Sequence, residues 1–132
     1  DVTSRRITLP NGISLHLREG GQGAPTTLLL HGWAVPGTVW EPVLARWPAD
    51  AGRVLAPDLR GTGWSTKPRD GYTLEDDVQD VVALIDALGL SDVVLVGHSK
   101  GGAIAQRVAL ERPDALRQLV LVCAVPASGL PL

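Results

Sequence analysis

Four short, almost purely apolar runs place the strongest limit on how this chain folds: Thr27-Leu28-Leu29-Leu30, Arg53-Val54-Leu55-Ala56, Val93-Val94-Leu95-Val96 and Leu119-Val120-Leu121-Val122. A half-buried strand alternates apolar with polar residues, whereas a run with no polar face suits a strand covered on both sides, as in a parallel sheet. The segments between the runs have helical spacing. Thr73-Leu74-Glu75-Asp76 opens one of them in the manner of a capping box, with Asp76 in place of the usual Glu or Gln. Leu74, Val78, Val81, Val82, Ile85 and Leu88 follow on one face, and Gly89 stands where such a helix stops. Val39 to Trp47 and Ala103 to Arg112 are two further predicted helices, ended by Pro48 and Pro113. Strand and helix therefore alternate, which predicts an α/β fold with a mostly parallel sheet and flanking helices. Ahead of this pattern, Arg5 to Leu9 and Ile13 to Arg18 alternate around Asn11-Gly12, predicting a hairpin with one solvated face.

Composition narrows the function. The 132 residues are 45% hydrophobic and 20% charged, and no repeat or linker divides them, so residues 1–132 are expected to form part or all of one domain. A net charge of −2 provides no broad basic footprint, so neither nucleic acid nor an anionic membrane is an expected partner. No apolar run approaches the roughly 20 residues of a spanning helix. A single cysteine, Cys123, fits a reducing compartment, and with no leader-like opening a cytoplasmic setting is the expectation. The chain contains no Met, so Asp1 is not expected to be a natural start. There is no Phe, and four Trp supply most of the aromatic surface. Trp33, Trp40 and Trp64 are candidates to line an apolar pocket, although Trp40 and Trp47, seven apart on one predicted helical face, are better suited to the core.

In a parallel α/β sheet, reactive residues gather beyond the carboxyl ends of the strands. Three loops there carry distinctive strings. Gly97-His98-Ser99-Lys100-Gly101-Gly102 lies between an apolar run and a helix and matches G-x-S-x-G, the nucleophile elbow. A serine on so sharp a turn needs a strained backbone and small neighbours, and the turn aims both its hydroxyl and a helix amino terminus at the reacting group. His31-Gly32-Trp33 ends another strand, where a tight turn at Gly32 can offer the Trp33 N–H to a substrate oxygen. Together with the Lys100 N–H this would make a two-donor oxyanion hole. The His31 side chain is expected to bond neighbouring backbone. In Pro57-Asp58-Leu59-Arg60-Gly61-Thr62-Gly63-Trp64-Ser65, Asp58 and Arg60 are expected to pin the loop, with Arg60 tying carbonyls together. Its glycines do not complete a dinucleotide fingerprint.

These three strings in this order, His31-Gly32, then Asp58-Leu59-Arg60-Gly61-x-Gly63-x-Ser65, then Gly97-His98-Ser99-Lys100-Gly101-Gly102, resemble the α/β-hydrolase superfamily. The similarity is greatest to its single-domain bacterial esterase, lactonase and non-haem-haloperoxidase-like branch. The resemblance implies Ser99 as nucleophile, the Trp33 and Lys100 amides as oxyanion donors, a small ester-like substrate, and no metal or organic cofactor. Lys100 departs from the Met, Gln or Leu often found at this place.

A serine hydroxyl needs a base, and the base an orienting carboxylate. In the resembled family the order is Ser, acid, His. No histidine follows Ser99 in this sequence, and Glu111 and Asp114 lie at the far end of the helix that Ser99 begins, roughly 18 Å away at 1.5 Å per residue. His98 adjoins Ser99 on the turn and is expected to point elsewhere, and His16 sits on the polar side of an early strand. His31 with Asp58 is the one pair at the right end of the sheet. The resemblance thus implies an amino-terminal half of about six strands, ending at Val125–Leu132 where a lid would begin. Leu119 to Val122 is then an exposed apolar edge that a second polypeptide or another copy would cover. Three functions follow: an ester- or lactone-cleaving serine hydrolase, a non-catalytic hydrolase-fold module that binds a small apolar ligand or a partner chain, and a nucleotide-binding domain using Gly97 to Gly102 as a phosphate turn.

Overall fold

The computed structural model describes residues 1–129; Leu130, Pro131 and Leu132, the end of the expected lid-launching stretch, lie outside the described residues. In chain order the elements are β1 (Thr3–Thr8), β2 (Ser14–Gly20), β3 (Thr26–Leu30), α1 (Glu41–Ala45), β4 (Arg53–Pro57), α2 (Leu74–Ala87), β5 (Val93–His98), α3 (Lys100–Glu111) and β6 (Leu116–Val122). Single 3-10 turns at Gly37–Trp40 and Pro113–Ala115 lead into α1 and β6. The six strands form one sheet in the order β1-β2-β4-β3-β5-β6. Strands β1 and β2 form the expected hairpin, β2 also runs antiparallel to β4, and the remaining pairs are parallel. From β3 the chain crosses to β4 on one side and then to β5 on the other, so the winding reverses between β3 and β5. A crevice opens at such a reversal, beyond the carboxyl ends of the strands.

The core explains the apolar runs. Every residue of β3 is buried, and four of the five residues of β4. Leu28, Leu30, Leu55 and Leu95 face α2 and α3 and pack on Val81, Ile85 and Ile104. On the other face Leu29, Val54, Ala56 and Leu44 form a smaller cluster with Trp40, Trp47 and Val96. The run in β6 behaves differently. This strand closes one edge of the sheet, and Leu119, Leu121 and Val122 are 37–44% exposed.

Local signals account for the helix boundaries. Thr73 accepts the Asp76 N–H at 3.1 Å, and the Asp76 carboxylate accepts the Thr73 N–H at 3.0 Å, completing the capping box. At the other end Gly89 takes φ +60°, donates to Asp86 and lets Leu90 donate to Ile85, a Schellman close. The helix predicted over Val39 to Trp47 is broken. Pro42 has no N–H to give Thr38, whose carbonyl takes the Glu41 N–H in a tighter 3-10 turn instead. Trp40 and Trp47 thus flank α1 rather than share its face, yet both pack on the smaller cluster.

The hairpin's polar face is not solvated as predicted. Arg18 is 5% exposed and His16 half-buried, because both turn onto the buried Asp58 carboxylate. Burying these groups is tolerable only because they are paired. A second buried carboxylate, Asp80 of α2, accepts Arg60 Nε at 2.6 Å, another Arg60 nitrogen at 2.8 Å, and the Asn11 amide at 2.9 Å. It thereby joins α2 to the hairpin turn and the loop after β4. Removing it strands the Arg60 head, so Asp80→Ala is expected to lower unfolding free energy by about 3 kcal/mol, the lower end of the cost of breaking a buried ion pair. Asp86→Ala, which breaks the exposed pair with Arg112, is expected to leave the urea midpoint nearly unchanged. Urea denaturation of both variants checks the contrast.

Candidate active site

The turn between β5 and α3 has the geometry the elbow motif predicts. Ser99 sits at φ 56°, ψ −120°, a conformation a residue with a Cβ adopts only when its surroundings enforce it. Two of the enforcing contacts are backbone to backbone. A Cβ at Gly97 would lie 2.3 Å from the Gly101 carbonyl oxygen, and one at Gly101 would lie 2.4 Å from that of Leu30. At Gly102 it would meet the Ala124 Cβ at 2.3 Å. Any side chain at these places pushes α3 off the sheet. The helix therefore begins at Lys100, three residues before the predicted Ala103, with both glycines inside its first turn. The Ser99 amide donates to Val122 at the end of β6, and the Ser99 carbonyl accepts from Gly102 and Val125. The serine hydroxyl does not cap the helix.

The loop after β3 comes against this turn. A Cβ on Gly32 would stand 3.2 Å from Ser99 Cβ, so the absence of a side chain at Gly32 lets the two loops touch. Trp33 follows, its ring 77% exposed. A pocket of about 310 Å³ opens beside the elbow, with Trp33, Thr62, Tyr72, Arg60 and Lys100 among its walls. Trp40 and Trp64 are not among them, contrary to their candidacy. Trp40 stands edge-on to the His98 ring at 6.5 Å on the smaller-cluster face of the sheet, and Trp64 is exposed. The His98 ring meets Trp40 edge-on, and a Cβ on Gly32 would lie 3.5 Å from its Nδ1.

His31 is 1% exposed and fully engaged. Its Nδ1 lies 2.8 Å from the Gly32 carbonyl, and its Nε2 accepts the Leu59 N–H at 2.9 Å. A carbonyl cannot donate and an amide cannot accept, so the ring is the neutral tautomer protonated on Nδ1. It ties the loop after β3 to the loop after β4 and has no free nitrogen for Ser99. The His31–Asp58 pair that the sequence left open does not form. Asp58 is wholly buried and accepts from Arg18 at 2.7 Å, the Gly37 N–H at 2.7 Å and the Trp64 N–H at 3.0 Å, with His16 Nδ1 at 3.0 Å. His16 lies on β2, three strand spacings from β5, or roughly 14 Å, so it cannot reach Ser99. Among the described residues no histidine forms a hydrogen bond with Ser99. Arg60 does pin its loop, but only one of its partners is a carbonyl, that of Gly71; the others are Asp80 oxygens and, at 4.0 Å, Asp76.

One contact was not anticipated. The Lys100 ammonium lies 2.8 Å from Asp77, a residue of α2 that is 2% exposed. Burial pushes the Asp77 carboxyl above its ordinary value, against the pull of Lys100. Asp77 falls three residues after Leu74 and four before Val81, within the apolar stripe, and a charge there is the signal that could have revealed it.

The comparisons agree with this fold. The alpha/beta hydrolase fold family matches residues 25–131, and the chain belongs to it. It is 42% identical over 106 residues to an epoxide hydrolase of Caballeronia sordidicola, covering 79% of this chain and 32% of that one. It is 34% identical over 122 residues to a bifunctional esterase/perhydrolase of Acinetobacter calcoaceticus, covering 91% of this chain and 44% of the relative. The solved structure of an epoxide hydrolase superposes with a TM-score of 0.86 at 32% identity, over 96% of this chain and 44% of that one. The chain thus spans less than half the length of these relatives.

Two titrations follow from the geometry. Burial, the dominant influence, holds His31 below its ordinary 6.5 despite the bond to Gly32. The unfolded chain therefore binds a proton that the folded one refuses, and this contribution to stability is complete above pH 6.5 and falls as the pH drops below it. A long-range ¹H–¹⁵N spectrum at pH 6.5 is expected to show His31 Nε2 as an unprotonated acceptor; an imidazolium signature would contradict the tautomer. For Asp58 burial is again the largest influence and acts upward, but the Trp64 amide, Arg18 and the Gly37 amide outweigh it and hold the carboxyl low. Its contribution is present above about pH 4 and lost as the pH falls through the lower folded value. Asp58→Asn is expected to be less stable at pH 7, with a urea midpoint that changes less than the parent's between about pH 5 and 3.

Proposed function

We propose that this chain carries the nucleophile and oxyanion-binding part of a serine hydrolase that cleaves carboxylic esters or lactones. The observation that carries the reading is the strained Ser99, held by backbone contacts at the head of α3 with Gly32 against its Cβ. A fold does not maintain that conformation without compensation, and exposing a hydroxyl beside a helix amino terminus is the chemical return.

In the proposed reaction Ser99 Oγ attacks the ester carbonyl carbon as its proton passes to a base. The carbonyl oxygen gains the charge and is held by the Trp33 and Lys100 N–H groups, donors of a kind worth about 10²–10³ each in rate. The tetrahedral species expels the alcohol, which leaves with the proton, and Ser99 is left as an acyl ester. Water repeats the sequence and frees the acid. The base and its orienting carboxylate are supplied by residues outside those described.

The nucleophile's chemistry selects among the reactions named for the relatives. A serine that opened an epoxide would end as an alkyl ether, with no carbonyl for water to attack, and would turn over once at most. Acylated by an ester, the same serine is regenerated by hydrolysis. The acyl ester can also be taken by hydrogen peroxide to give a peracid, the chemistry of a perhydrolase.

In the protein that includes the base, incubation with p-nitrophenyl acetate, read by intact mass and peptide mapping, is expected to place one acetyl group on Ser99 and none in Ser99→Ala. Styrene oxide is expected to leave no adduct. A folded protein that includes the base and still takes no acetyl group would overturn the hydrolase reading in favour of a binding module.

A further inference from the structure

The pocket beside the elbow has walls of one charge sign. Lys100 and Arg60 line it, and among the described residues no carboxylate does. Each cation is held from behind by a buried acid: Lys100 by Asp77, at 2% exposure, and Arg60 by Asp80, at 0%. An ion pair is neutral overall, but its field is not. With the acid in the interior and the cation on the wall, the Lys100 pair presents its positive end to the pocket, whereas Arg60 also has the partly exposed Asp76 carboxylate at 4.0 Å. Arg60 has little left to offer, since Asp80 and the Gly71 carbonyl take three of its N–H groups. The Lys100 ammonium has three donors and one protein partner, and its side chain is 30% exposed. A long, flexible cation is thus fixed at the mouth of the crevice with donors to spare, next to the backbone N–H expected to hold the oxyanion. The other walls that matter, Trp33, Thr62 and Tyr72, supply apolar surface and two hydroxyls but no charge.

We propose that this pocket receives a carboxylate carried by the substrate, and that the Lys100 ammonium selects it, so that the preferred substrates are anionic esters or lactones such as half-esters of dicarboxylic acids. The proposal rests on the reading of Ser99 as nucleophile for the word substrate, but the pocket's preference for an anion stands on its own walls. Selection works by difference: a neutral ester of the same shape leaves the Lys100 donors to water, whereas a carboxylate forms a charge-assisted bond in a partly dry site. Asp77 opposes the anion while it positions the lysine. Removing its charge therefore strengthens anion binding, a sign that a merely structural pair would not produce.

The test uses the Ser99→Ala chain, in which no turnover competes, and follows the Trp33 indole and pocket amide signals by NMR. Monomethyl succinate is the anionic probe and dimethyl succinate its neutral counterpart. The half-ester is expected to bind at least about tenfold more tightly than the diester, as expected of a hydrogen bond to a charged group. Lys100→Met is expected to lose most of that preference, Lys100→Arg to keep it, and Asp77→Asn to bind the half-ester severalfold more tightly, with amide spectra confirming the fold of each. Equal binding of the two probes, a preference that survives Lys100→Met, or weaker half-ester binding in a folded Asp77→Asn would each overturn the proposal. Binding is read without chemistry, so the two readings fail separately. A chain that takes no acetyl group at Ser99 yet prefers the half-ester refutes the hydrolase and retains the anion pocket, and the opposite pair of results does the reverse.

Discussion

The close approach of the first turn of α3 to the ends of β3 and β5 is the constraint on which the site depends. Backbone meets backbone where Gly97 lies against Gly101 and Gly101 against the Leu30 and His31 carbonyls, and Gly102 lies against the Ala124 Cβ. Without side chains at these positions the helix can begin within one residue of the strand's end, and Ser99 is forced into a positive φ at the corner. Gly32 repeats the device from the neighbouring loop. The reversal of winding between β3 and β5 decides that these two loops leave the sheet side by side. Topology thus chooses the place of the site, and four missing side chains allow it to close.

Around that point the loops are held by buried polar groups rather than by regular structure. Asp58 gathers β2, the turn before α1 and its own loop through Arg18, Gly37 and Trp64. Asp80 gathers the hairpin turn, the same loop and α2. His31, neutral and wholly occupied, joins the loop after β3 to the loop after β4. Each of these groups would be costly if unpaired, and each has its partners, so the networks restrict the loops to one arrangement. They also explain how Asp58 and Arg60 serve as supports of the loop after β4.

Much of this was legible in the sequence because it depends on neighbours along the chain. The elbow is written in six consecutive residues, the capping box in Thr73 and Asp76, and the buried parallel strands in runs without a polar face. What escaped depends on pairings between distant segments. His16 and Asp58 are 42 positions apart and meet only because β2 lies against β4, so the polar side of the hairpin was read as solvated. Asp77 and Asp80 sit singly in an apolar stripe, and nothing local says which cation each will find. The break at Pro42 was legible in principle, since a missing N–H in the second turn of a predicted helix is a local fact, but the spacing of Trp40 and Trp47 outweighed it. The anionic preference of the pocket belongs to the unreadable part, because it depends on which side of the wall each acid lies.

The most direct test of Ser99 as an activated nucleophile is the site of reaction with a fluorophosphonate, read by intact mass and peptide mapping of the folded protein with its base included. The account predicts one adduct, on Ser99, formed well before any on the other serines. A folded protein, base included, with no adduct, or with label spread over its serines without preference for Ser99, would contradict the account.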